Sequence, residues 1–162
     1  MQRIDCMKKY IAAALAVMVF LGAYAQTPPK VEAKVNALVQ RYDDVNGVEC
    51  MTLVKGKGLE MVKMMFNKQF GKEFMRGVTS ITIIEYSEAS QETYQALRKE
   101  FDSFELLLEE FDLSKEKDFA GDVYVRSFGQ PSDKGTLSDF VMALEDKDSK
   151  MFMYMAGVIK VE

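Results

Sequence analysis

The chain predicts an α+β domain, and three observations carry that expectation. Two strand-like stretches alternate with segments of helical periodicity in the first two thirds of the sequence, and from Asp122 onward the pattern becomes strands alone. Gly77-Val78-Thr79-Ser80-Ile81-Thr82-Ile83-Ile84-Glu85-Tyr86 is the most strand-like run and opens directly on a glycine. Val78, Ser80, Thr82, Ile84 and Tyr86 are expected on one face and Thr79, Ile81, Ile83 and Glu85 on the other. Neither set is wholly polar, so both faces are expected to be covered and the strand to lie inside a sheet.

The elements follow in order. Val31, Val35, Leu38, Val39 and Tyr42 recur at helical spacing and predict a helix running to about Asp44, closed near Asn46-Gly47. Val48 to Lys55 alternates as a strand, Lys55-Gly56-Lys57-Gly58 turns, and Leu59 to Phe70 carries the stripe Leu59, Val62, Met65, Phe66, Phe70 of an amphipathic helix. Strand, helix and strand at this connection length predict a right-handed crossover, with Val48 to Lys55 parallel to Val78 to Tyr86. Ser87-Glu88-Ala89-Ser90 offers N-cap residues for a helix over Gln91 to Phe104, with Tyr94, Leu97, Phe101 and Phe104 on one side. The stretch Leu106 to Phe111 is open between the tail of that helix and a short strand. Asp122 to Phe128, Leu137 to Glu145 and Met151 to Val161 are strands joined by turn-rich segments. The expected architecture is therefore a mixed sheet, a parallel βαβ pair plus an antiparallel C-terminal meander, with helices mainly on one face.

Length and composition narrow the function. The chain has 162 residues, enough for one domain with a sizeable core. Residues 1–25 have the form of a secretory signal: Lys8 and Lys9, an apolar run from Tyr10 to Leu21, and Ala23-Tyr24-Ala25 as a cleavage site. The apolar run is shorter than the roughly 20 residues of a spanning helix. Met7 opens the more usual signal, so translation from Met1 or from Met7 is left open. Position 26 is Gln26 where a lipoprotein would need cysteine, and export with cleavage after Ala25 and no lipid anchor is expected, to the periplasm or beyond. A short spacer, residues 26–30, then leads into a single domain over residues 31–162. Removing residues 1–25 takes away Arg3, Lys8, Lys9 and Asp5, leaving 18 basic residues of the 21 and 24 acidic residues of the 25, a net of -6. An acidic domain of this kind does not gather nucleic acid phosphates or anionic lipid, so neither is an expected partner.

The absence of histidine removes the common general base, the Ser-His-Asp and Cys-His arrangements and the usual zinc ligand. No Ser-x-x-Lys or Gly-x-Ser-x-Gly pattern frames any serine. The paired acids Asp43-Asp44, Glu109-Glu110 and Glu145-Asp146 fall at element ends, where solvated surface charge is expected. Lys55-Gly56-Lys57-Gly58 lacks the P-loop pattern and is read as a turn. No catalytic residue and no cofactor is called for. With Cys6 in the signal, Cys50 is the one thiol of the mature chain, placed in a strand pattern that favours burial.

Methionine is the unusual feature. Met151, Met153 and Met155 fall on one face of the last strand, and thioethers suit Cu(I). Same-face neighbours lie about 6.6 Å apart along a strand, too wide for one ion, and methionine is an adaptable core filler. Core packing is the leading reading of these three and soft-metal binding the alternative. Met61, Met64 and Met65 form a second cluster on the amphipathic helix, and if left exposed they suit the docking of a partner peptide or helix. The function expected is a non-catalytic binding or interaction module of the cell envelope with a protein partner.

The strand entry at Gly47, the Gly77-Val78-Thr79-Ser80-Ile81 strand, the three-strand tail and the closing Met155-Ala156-Gly157-Val158-Ile159-Lys160-Val161 resemble the domain of unknown function 4252 family of small exported Bacteroidetes-type proteins. The resemblance spans about Lys30 to Glu162. It implies export and an envelope setting, and it carries over no activity and no site residue.

Overall fold

A computed structural model describes residues 30–113, 123–132 and 135–161. The expected signal and most of the spacer lie outside them. The elements are α1 (Lys30–Tyr42), β1 (Glu49–Leu53), α2 (Lys57–Phe70), β2 (Gly77–Glu85), α3 (Gln91–Asp102) with a 3-10 turn at Ser103–Leu106, and β3 (Glu109–Phe111). They continue with β4 (Tyr124–Pro131), β5 (Thr136–Glu145) and β6 (Lys150–Lys160). The open stretch from Leu106 to Phe111 thus ends in a short strand.

All six strands form one sheet in the order β1-β2-β6-β5-β4-β3. Every pairing is antiparallel. The α+β class and the C-terminal meander are present, but the expected parallel βαβ pair is not. β1 runs antiparallel to β2, with Glu49 opposite Glu85 and Leu53 opposite Ile81. Apolar periodicity is blind to strand direction, and the expectation took its direction from the intervening helix. Here α2 and residues 71–76 leave and re-enter the sheet at the same end, and Gly77 to Ser80 extend past β1 to pair with β6.

Both faces of the sheet are covered, as a strand with apolar residues on each side requires. On one side α1 and α3 bury Val35, Leu38, Leu97 and Phe101 against Ile84, Phe128, Phe152 and Tyr154. Phe101 meets the rings of Phe128 and Phe152 with centroids 5.3 and 5.5 Å apart, tilted and edge-on, the arrangement aromatic quadrupoles favour. On the other side α2 and the Phe74-Met75 segment cover Ile81, Phe140, Met142, Met153 and Met155. The helices therefore divide two to one between the faces.

The strict alternation expected for β2 breaks at its start. A bulge between Val78 and Ser80 turns Val78 to the α2 side with Ile81, away from Ile84. Its cause lies across the ladder: Gly157 adopts φ +103°, and a Cβ there would fall on the carbonyl oxygen of Gly77. Gly47, at φ +79°, lies as close to the carbonyl of Glu88. Only glycine fits both positions. A second bulge in β5 holds Asp139 at φ 50°, where its carboxylate accepts a 2.9 Å hydrogen bond from the Tyr154 hydroxyl.

Candidate functional site

α2 is seated by one face and bare on the other. Leu59 is buried and Val62, Phe66 and Phe70 are half-buried against the sheet, with Phe70 stacked on Phe74 at 4.8 Å. Met61, Met64 and Met65, three and four residues apart, share the outward stripe and are 58%, 66% and 62% exposed, so Met65 does not belong to the inward stripe on which its spacing placed it. Soluble domains leave few long apolar side chains open in one cluster. Met64 also lines a groove of about 560 Å³ between α2 and the segment that follows it. Lys63, Lys68, Lys72 and Arg76 line the same groove with Glu60 as the one acid. Lys63 lies 3.9 Å from Glu60, and Arg76 is bonded to Glu73 at 2.8 Å, which holds the Glu73 carboxyl below the usual range. Among the described residues Lys68 and Lys72 form no ion pair. On an acidic chain this is a basic hollow with an apolar rim.

The other methionines do the opposite. Met153 and Met155 are buried beneath α2 and Met151 is half-buried at the strand's start. Met153 stands directly across from Met142, and Met75, Met142 and Met155 share the same dry cluster with Phe74 and Phe140. Their surroundings are those of core filling.

The acidic pairs separate in an unexpected way. Asp43, Asp44, Glu49, Glu85, Glu88 and Asp148 border an open cleft of about 690 Å³. Among the described residues no group of three acidic or cysteine side chains is placed to hold a metal ion. Asp146 accepts the backbone N-H groups of Asp148 and Ser149 at 2.8 and 2.7 Å, so its carboxylate closes the β5–β6 turn.

Glu145 departs from the solvated reading of its pair. Its side chain is 9% exposed and accepts hydrogen bonds from the Tyr86 hydroxyl (2.8 Å), the Tyr94 hydroxyl (3.0 Å) and the Arg98 guanidinium (2.8 Å). Arg98 lies over the Tyr124 ring and Lys150 over the Tyr94 ring. Burial, reinforced by the Glu145 carboxylate, pushes the Tyr86 hydroxyl well above the usual phenol range and raises Tyr94 as well. The signal was present in β5: alternation puts Glu145 on the same face as Val141 and Ala143, under α3. Because Glu145 lines neither hollow and all its donors come from this chain, it acts as a clasp between α3 and the sheet.

A second clasp is Arg126, bonded to Asp102 (2.6 Å) and Glu110 (2.9 Å) and lying over Phe128. Cys50 is half-buried on the α1 side, where desolvation and the nearby Asp43 push its thiol up to about 11. It is a protonated, unreactive thiol at neutral pH. The glycine turn before α2 holds Gly56 at φ 93° as a helix entry with no side-chain cap.

Compared with protein-family models, curated proteins and solved structures, the chain matches none. Among the described residues no helix is long and apolar enough to cross a membrane.

Proposed function

We propose that this is an exported, non-catalytic binding module of the cell envelope, periplasmic or secreted, that docks a protein partner on the open face of α2. One observation carries the reading: Met61, Met64 and Met65 stand more than half exposed beside a groove half of whose lining residues are cationic. Flexible thioethers adapt to different apolar side chains, and the unpaired Lys68 and Lys72 of the groove favour acid. The occupant is therefore an envelope segment that carries apolar anchors flanked by aspartate or glutamate. The likeness to the domain of unknown function 4252 family, borne by the strand entry at Gly47, the Gly77 to Ile81 strand, the three-strand tail and the closing Met155 to Val161, belongs to the same proposal.

The test is crosslinking with affinity purification from intact cells, comparing the natural chain with a Met61→Ser, Met64→Ser, Met65→Ser variant. These side chains are solvent-facing, so the variant folds. An envelope protein recovered with the natural chain and lost with the variant supports the reading. Equal recovery by both removes it.

A further inference from the structure

β1 and β3 are the two edges of the sheet. β3 has three residues, two of them glutamate, which keeps other strands away. Past Glu49 at its start, β1 carries none of these guards. Glu49-Cys50-Met51-Thr52-Leu53 is unbroken by proline, glycine, lysine or a bulge. Among the described residues its backbone bonds only to β2. Met51 and the following Val54 are 52% and 54% exposed.

An unguarded edge accepts an antiparallel strand, and the sequence of this one is complementary to itself. A two-fold axis normal to the sheet keeps each side chain on its own face, so two copies can meet only in registers centred on a residue. Centred on Cys50, the register sets Glu49 against Met51 of the other copy. Centred on Met51, it sets Glu49 against Leu53. Centred on Thr52, every position finds a match: Glu49 faces Lys55, Cys50 faces Val54, Met51 faces Leu53 and Thr52 faces Thr52. Opposite charges, apolar pairs and threonine pairs are the combinations that stabilise facing strands. The Thr52 hydroxyl already lies 3.2 Å from that of Thr82 on β2, so the join would continue a threonine row from one sheet into the next.

We propose that β1 is a self-association edge, and that a second copy of this chain pairs with it antiparallel about Thr52 to make one continuous twelve-stranded sheet. The contact is small, so the dimer is weak and depends on concentration. This surface is distinct from the α2 face, and its test does not depend on any envelope partner.

The test is a register-specific disulfide. In a chain whose natural cysteines Cys6 and Cys50 are both serine, Thr52→Cys places two thiols directly opposite, with Cα atoms about 5 Å apart and within disulfide reach. In the same serine background Val54→Cys, an exposed position, sets its two thiols four residues apart, about 13 Å along the strands. Mild oxidation of the purified protein is expected to link most Thr52→Cys chains and to leave Val54→Cys chains unlinked. Sedimentation gives the second readout: Glu49→Lys weakens association about tenfold or more by setting like charges opposite, and adding Lys55→Glu restores it. Both residues are exposed, so folding is unaffected. Linkage at Val54→Cys equal to that at Thr52→Cys, indifference to the charge reversal, or a monomer at every concentration overturns the proposal.

Discussion

Removing the Glu145 carboxylate tests how α3 is held to the face of the sheet that it covers. In Glu145→Ala the Tyr86 hydroxyl, whose residue is 3% exposed, loses its acceptor inside the core. An orphaned buried hydroxyl costs about 1–3 kcal/mol. Arg98 is 24% exposed along its side chain and Tyr94 is half-exposed, so both recover water and add about 1 kcal/mol together. The sum, about 3 kcal/mol, is a large part of the 5–15 kcal/mol that holds a domain of this size. With a urea m-value of about 2 kcal/mol/M the midpoint falls by about 1.5 M. Tyr86→Phe alone costs about 1 kcal/mol. The double variant is expected to be less destabilised than the two singles summed, because the phenylalanine leaves no hydroxyl to strand. A Glu145→Ala loss below about 1 kcal/mol, or strict additivity, would refute the clasp.

Four further outcomes follow from the same structure. Tyr86, Tyr94 and Tyr154 all have folded-state pKa values raised above the unfolded phenol, so the stability they contribute is fully present below about pH 10 and is lost as pH rises beyond it. Urea midpoints are expected to fall steeply above pH 10, and less steeply in Tyr86→Phe. Cys50, shifted from 9.0 to about 11, holds about a hundredfold less thiolate at pH 8 than an open thiol, and its reaction with a disulfide reagent is expected to be slower by that factor until denaturant is added. Gly157→Ala drives a Cβ onto the Gly77 carbonyl at a left-handed φ, and a loss of about 2 kcal/mol or more is expected in thermal or urea unfolding. Met153→Leu and Met155→Leu keep volume in the core and are each expected to cost less than about 1.5 kcal/mol, with Cu(I) titration unchanged; a micromolar or tighter site lost with those leucines would revive the soft-metal alternative.

The features legible in the sequence were those fixed by local pattern. Val31, Val35, Leu38 and Tyr42 mark the buried stripe of α1, and Ser90 caps α3 by accepting the Thr93 N-H. The turns around Gly135 and Asp146 separate the three strands of the meander. What was hidden depends on residues distant in the chain. The direction of β1 is invisible in its alternation. The Val78 bulge is imposed by Gly157, 79 positions beyond it along the chain. Glu145 looked solvated because it pairs with Asp146 at an element end, yet α3 arrives from residues 91–102 to cover it. Met64 lies off the expected inward stripe of α2 and its exposure was foretold by that, whereas Met65 was placed on the stripe and is exposed all the same.

The docking face is tested most directly in living cells by a photoreactive residue at position 64, with the same residue at Glu92 on the exposed start of α3 as control. A discrete adduct with one envelope protein is expected from position 64 and none from position 92. Equal adducts from both, or none from position 64, would contradict docking there.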